Sequence, residues 1–195
     1  MEHKVADPGP LGLAGFAMTT FCLSSWNANL WHGAGLEAAL SLALFYGGIV
    51  QLFAGMWEFV RKNTFGALAF SSYGAFWLAF YAIVQFHLAG GGTDTVGIFL
   101  LGWTIFTAYM TIAAARTNTA IFVVFILLLV TFVLLTIGAF QSSANITKAV
   151  GWVGVATAAA AWYASFAGVV NETFKKAIIP TIPLAPGSRL RRAAH

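Results

Sequence analysis

Long apolar stretches alternate with short polar breaks along almost the whole chain. A membrane-crossing helix needs about 20 predominantly apolar residues, because each adds about 1.5 Å across a hydrocarbon core about 30 Å thick. Six stretches meet that requirement: Leu11–Trp31, Leu36–Val60, Phe65–Phe86, Val96–Ala115, Ala120–Phe140 and Ala149–Val170. The breaks carry residues that end helices or face water. They are His32-Gly33-Ala34-Gly35, Arg61-Lys62-Asn63-Thr64, Gly90-Gly91-Gly92-Thr93-Asp94, Arg116-Thr117-Asn118, and Gln141 to Lys148. Short connections between long helices force antiparallel neighbours. The pattern predicts an all-α polytopic membrane protein with six transmembrane helices in residues 11–171. A segment of residues 1–10 precedes them and a tail of residues 172–195 follows.

Composition agrees with this pattern. Of 195 residues, 59% are hydrophobic and 8% charged, whereas soluble domains carry roughly 25% charged residues. The chain is too short for a second folded domain. Its Lys and Arg residues set an orientation. Lys4, Arg61, Lys62, Arg116, Lys175, Lys176, Arg189, Arg191 and Arg192 fall on one side of a six-span zigzag, and Lys148 falls on the other. The positive-inside rule assigns the larger group, and both termini with it, to the cytoplasmic side of the cell membrane. The net charge of +4 does not point to nucleic acid, because the charges sit at span ends instead of forming a stripe. Trp26, Trp31, Trp57, Trp103 and Trp152 lie toward span ends, as an interfacial belt would place them. After Asn171, Pro180, Pro183, Pro186 and Gly187 with three late arginines predict a loose tail near anionic headgroups. Met1 to Pro10 lacks the features of a cleaved signal peptide. Cys22 has no partner for a disulfide and reads as a small buried hydrophobe.

Polar residues inside the spans argue for more than a scaffold. Glu37 and Glu58 are the ionisable groups there; Glu37 is at a span start and expected to be wet. Glu58 is either an interfacial acid pairing with Arg61 or Lys62, or an acid lining a cytoplasmic vestibule and a candidate proton site. Gly47, Gly48, Gln51, Gly55 and Glu58 share one helix face. Close packing explains the glycines but explains Gln51 less well, since a mid-span amide needs partners. Span 1 offers Phe16, Thr20, Leu23 and Asn27 at helical steps, with Ser24 beside them. Span 3 offers Tyr73, Trp77, Tyr81 and Gln85, with Ser71 and Ser72 adjoining Tyr73. Ala160, Ala164 and Gly168 form a small-residue seam in span 6, for use within the bundle or between protomers. No Lys or Arg sits in a span, so a pore would rely on hydroxyls, amides and backbone N–H groups, or pass a neutral species. The helix opening Asp7-Pro8-Gly9-Pro10-Leu11-Gly12-Leu13 places Pro10 in the first turn and Asp7 as a cap.

That opening resembles the NPAPLGL signature of the acetate uptake transporter family, which includes the bacterial succinate–acetate permeases. The likeness continues through Gly15-Phe16-Ala17-Met18-Thr19-Thr20, through Phe45-Tyr46-Gly47-Gly48-Ile49-Val50-Gln51-Leu52-Phe53-Ala54-Gly55 with Glu58 after it, and through Asn63-Thr64-Phe65-Gly66 and Ser72-Tyr73-Gly74-Ala75-Phe76-Trp77. It ends with Gly151-Trp152 and Asn171-Glu172, and so covers nearly the whole chain. The resemblance implies a six-span protomer assembling as a homo-hexamer in membrane lipid, with one pathway per protomer for acetate or a similar carboxylate. Family members are described both as channels and as proton-coupled symporters. The resemblance also implies a constriction of Phe16, Tyr73 and Leu128, the last located by counting back from Ile137-Gly138. Thr20, Asn27, Gln51, Ser72 and the Tyr73 hydroxyl are candidate substrate contacts. The helix-entrance motif is Asp7, Pro8, Pro10, Leu11, Gly12 and Leu13. Two departures stand out: Asp7 replaces the family's Asn and Gly9 its Ala. A negative charge at the mouth disfavours an anion unless it is neutralised locally.

An alternative is a channel for a small neutral solute such as urea, which suits a charge-free pore. Enzyme activity is not expected, and neither is a cofactor, a metal or a nucleic-acid partner. His3, His32, His87 and His195 all lie at loops or ends, and no HExxH, GxSxG or ligand-spaced carboxylate pair occurs.

Overall fold

A computed structural model of the chain describes residues 5–31, 35–90 and 93–184. Lys4, Arg189, Arg191, Arg192, His3, His32 and His195 lie outside the described residues. The architecture is all-helical. Six rods follow one another: α1 (Gly9–Asn27), α2 (Gly35–Val60), α3 (Thr64–Gln85), α4 (Thr93–Ala114), α5 (Thr119–Gln141) and α6 (Ala144–Thr173). All but α1 are long and apolar enough to cross a membrane.

Local chemistry fixes where the rods start and stop. The Asn63 side chain accepts from the Gly66 N–H at 3.2 Å, Asn118 from Ile121 at 3.0 Å, and Ser143 from Ile146 at 3.4 Å. Each side chain satisfies a first-turn donor that the helix itself leaves unpaired. The Ser143 cap starts α6 at Ala144, five residues before the apolar pattern begins at Ala149. At the far ends Asn29, Lys62, His87, Ser142 and Lys175 take left-handed φ values of 50–61°, which reverse the chain. The reversal at Asn29 ends α1 at Asn27, short of the expected Trp31.

Inside α2, residues Phe45–Val50 form a π-helical turn. Hydrophobic spacing gave no sign of it, because the stripe Gly47-Gly48-Gln51-Gly55-Glu58 also fits a regular helix. Such turns recur at functional sites. A Cβ at Gly47 would come within 2.5 Å of Thr19 Oγ1, so α1 and α2 approach at nearly backbone distance. Thr19 is fully buried there and donates to the Gly15 carbonyl at 2.8 Å.

Two expectations need correction. Trp103 does not sit in an interfacial belt. Its ring packs 5.3 Å from Phe76 and 5.4 Å from Phe106, in an aromatic cluster inside the bundle, whereas Trp26, Trp31, Trp57 and Trp152 are exposed. The chain after Asn171 is not loose as far as Leu184. Asn171 Oδ1 accepts from the Ile178 and Ile179 N–H groups at 2.7 and 2.8 Å, and its Nδ2 donates to the Ile179 carbonyl at 2.8 Å. Thr119 N–H and Oγ1 both donate to the Ile182 carbonyl, Leu184 N–H donates to Thr117, and the Tyr163 hydroxyl donates to Pro180. Residues 174–184 form a strap laid across the ends of α5 and α6.

Candidate functional site

At one end of the bundle the start of α1, the end of α2, the start of α3, the α4–α5 connection and the end of α6 surround a cavity of about 760 Å³. Asp7, Glu58, Asn63, Asn118, Asn171 and Lys176 contribute its polar wall, and the strap adds Ala177 and Thr181. This single end gathers starts of odd-numbered helices and ends of even-numbered ones, as an antiparallel zigzag requires.

Charges at this mouth are balanced in place. Asp7 forms an ion pair with Arg61, and its Oδ1 accepts from the Gly9 N–H at 2.9 Å. The Asp7 charge is thus neutralised by an arginine and used at the helix opening. Glu58 is 2% exposed and accepts from Asn63 Nδ2 at 3.0 Å. The partner of Arg61 is Asp7, and Glu58 is held by the amide of Asn63. A Cβ at Gly66 would come 2.7 Å from Glu58 Oε1, so this glycine makes room for the carboxyl. Lys175 pairs with Glu172 at 2.5 Å. Glu37 is exposed, far along α2 from Glu58.

The mouth narrows toward the middle of the bundle. A second cavity, of about 20 Å³, is walled by Leu13 and Phe16 of α1, Gln51 of α2, Ala69, Phe70 and Tyr73 of α3, and Val124, Phe125 and Leu128 of α5. Leu13, Ala69, Phe70 and Phe125 border both spaces. The three residues assigned to the constriction by resemblance come together in this neck. Phe16, Tyr73 and Leu128 are 5%, 3% and 4% exposed, and the Phe16 and Tyr73 ring centroids lie 6.1 Å apart. Gly12 sets the approach of α1, since a Cβ there would lie 2.6 Å from the Phe70 ring. Pro8 precedes the helix and its carbonyl accepts from the Gly12 N–H at 3.0 Å. The Pro10 carbonyl accepts from Ser165 Oγ at 2.7 Å, and Gly168 faces the Pro10 ring. The small-residue seam of α6 thus packs against α1 of the same chain, while Leu11 faces outward.

The remaining candidate contacts divide. Gln51 is in the neck, 1% exposed, and its Oε1 has no hydrogen-bond partner among the described residues. Thr20 is buried with an unpartnered hydroxyl but lines neither cavity, and neither do Asn27 and Ser72. The Tyr73 hydroxyl is engaged with Thr107 Oγ1 at 2.9 Å. Sequence reasoning missed Thr107 and Phe125, and it named Leu13 in the helix-entrance motif and not in the neck. Thr104, Thr107 and Thr111 recur at three- and four-residue steps, a hydroxyl stripe that could have flagged α4. Nothing local marked Phe125, one of 18 phenylalanines.

A helical membrane bundle whose polar mouth tapers to an apolar neck is the architecture of a small-solute channel or transporter. The chain belongs to the GPR1/FUN34/yaaH family, whose sequence profile matches residues 1–186. It is 38% identical over 181 residues to the succinate-acetate/proton symporter SatP of Escherichia coli K12, covering 91% of this chain and 95% of that protein. It is 42% identical over 179 residues to ammonia transport outward protein 2 of Saccharomyces cerevisiae, covering 87% of this chain; it spans 64% of that longer protein. A solved structure of the bacterial acetate channel SatP superposes with a TM-score of 0.85 at 38% identity, covering 91% of this chain and 99% of that one.

Proposed function

We propose that this protein carries acetate, and other short carboxylates such as succinate, across the cell membrane through one pathway per protomer. The observation that carries the reading is the neck of Phe16, Tyr73 and Leu128 at the foot of a charge-balanced mouth, in a chain whose bacterial relative is a succinate-acetate/proton symporter. Phe16, Tyr73 and Leu128 form the gate. Thr20, Asn27, Gln51 and Ser72 are the candidate contacts along the route, with Glu58 a candidate proton site at the mouth.

In this reading α1 is the sixth span. Its 19 residues rise about 28 Å, close to the hydrocarbon thickness, and it is less apolar than the others because Thr19, Thr20, Ser24 and Ser25 are buried inside the bundle. Both termini and the wide mouth then face the cytoplasm, following the lysines and arginines at that end. The unit of assembly is a homo-hexamer in lipid.

The neck holds no Lys or Arg. Stripping a carboxylate of water at low dielectric costs many kcal/mol, and neutral hydrogen bonds of about 1 kcal/mol net each do not offset that. Either the neck stays partly wet or the acid crosses uncharged. In proteoliposomes, uptake of labelled acetate rises as external pH falls toward the acid's pKa. Flat uptake across that range counts against the reading. A neutral-solute channel is the second reading, favoured by the 42% identity to a protein named for ammonia transport. A panel of acetate, succinate, urea and ammonia, run with and without a proton gradient, separates the two and also distinguishes symport from passive flow.

A further inference from the structure

We propose that Gln51 recognises the carboxyl group at the neck, its amide pairing through two parallel hydrogen bonds with the protonated, neutral acid. This rests on the carboxylate reading above and specifies the form in which the substrate passes.

The case starts from what the neck lacks. No Asp, Glu, Lys, Arg or His is among its lining residues. Its walls are aliphatic or aromatic except at Tyr73 and Gln51. The Tyr73 hydroxyl already bonds Thr107 at 2.9 Å, across the α3–α4 packing, which leaves it at most one half of a two-bond carboxyl contact. The Gln51 amide is the other polar group there. It is 1% exposed, and its oxygen finds no partner among the described residues. A buried amide left unpaired is destabilising, so packing alone does not account for a glutamine at this position. The other unpartnered buried polar atoms, on Thr20, Ser25, Ser71 and Trp77, belong to residues outside the neck lining.

The chemistry of the group selects its ligand. A primary amide presents an N–H donor and a C=O acceptor on one edge. A carboxylic acid presents the complementary edge, an O–H donor beside a C=O acceptor. A carboxylate presents acceptors only, so it satisfies the amide N–H and leaves the amide oxygen facing negative charge. The neutral acid therefore matches both halves of Gln51 and the anion matches one. Glu58, the nearest acid on the same helix, is seven residues away, about 10 Å along the axis, and does not line the neck.

The test uses the full chain in proteoliposomes taking up labelled acetate at about pH 5 and about pH 7, which lie above the unperturbed carboxyl pKa by different margins. Acetamide and methyl acetate serve as competitors. Acetamide carries the same donor–acceptor edge as acetic acid and does not titrate; methyl acetate has no donor. Acetamide is expected to inhibit about tenfold more strongly than methyl acetate, equally at both pH values. Gln51→Leu lowers acetate uptake about tenfold and abolishes the advantage of acetamide. Equal inhibition by the two competitors, or unchanged uptake by Gln51→Leu, overturns the assignment. If Gln51→Leu does not elute in detergent as the wild type does, the wild-type competitor comparison decides alone. Wild-type vesicles that take up no acetate defeat the transport reading itself, whereas acetate uptake with equal inhibition defeats only the role of Gln51.

Discussion

The mouth and the neck treat polar groups in opposite ways. The mouth, about 760 Å³, contains acids and bases, and its acids are held locally: Asp7 by Arg61, Glu172 by Lys175, Glu58 by the Asn63 amide. The neck, about 20 Å³, has no charge and keeps one buried amide oxygen without a partner. Water at the mouth makes the exposed charges of the Asp7–Arg61 and Glu172–Lys175 pairs inexpensive and the pairs weak, while buried Glu58 relies on the Asn63 amide. Its exclusion from the neck makes every polar atom costly. An unpartnered group is therefore informative in the neck, and a paired one is unremarkable at the mouth.

The comparison breaks first if bulk matters equally in both places. Phe16→Trp fills the neck and is expected to reduce acetate uptake by more than about tenfold, while Ala177→Trp on the mouth wall leaves it within about twofold, both read in reconstituted vesicles. Equal losses would mean that the neck is not the constriction. Next in size is Leu128→Ala. Removing a buried side chain is expected to cost about 2–5 kcal/mol of stability, seen as a lower melting temperature in detergent. The same change widens the neck and raises succinate uptake several-fold relative to acetate. An unchanged substrate ratio would remove Leu128 from the gate. Smaller again is Asn171→Ala, which severs three hydrogen bonds to the strap. At about 1 kcal/mol each, melting falls by several degrees and the segment around Ile179 becomes cleavable by protease, with acetate uptake altered far less than by Phe16→Trp. The smallest effect belongs to Asp7→Asn. Its pair with Arg61 is part-exposed, so the loss is within about 1 kcal/mol and shrinks further at high salt. An uptake change rivalling that of Phe16→Trp would mean that the mouth, and not the neck, limits flow.

Much of the frame was legible beforehand because it depends on one-dimensional quantities. The apolar runs gave all six rods to within a few residues, apart from the ends that Asn29 and Ser143 decide. The short runs between them gave the antiparallel order. Gln51 stands out as a mid-span amide, family motifs mark Phe16 and Tyr73, and counting back from Ile137-Gly138 marks Leu128; the structure draws these four to one neck. The strap was not legible, because Pro180 and Pro183 read as loose chain until Asn171, Tyr163 and Thr119 supply its hydrogen bonds from three separate places. The pairing of Thr107 with Tyr73 was not legible for the same reason, since the two lie 34 residues apart.

The sequence by itself determined that this chain is a bundle of membrane helices with a charged end and few ionisable groups inside. Hydrocarbon imposes that result on any such pattern, because each backbone polar group must be satisfied within its own helix. Only the tertiary structure decided which polar groups are spent on one another and which are left over. Pairing depends on distances between helices remote in sequence, and those distances follow from how glycines such as Gly12, Gly47 and Gly66 let the rods close on one another.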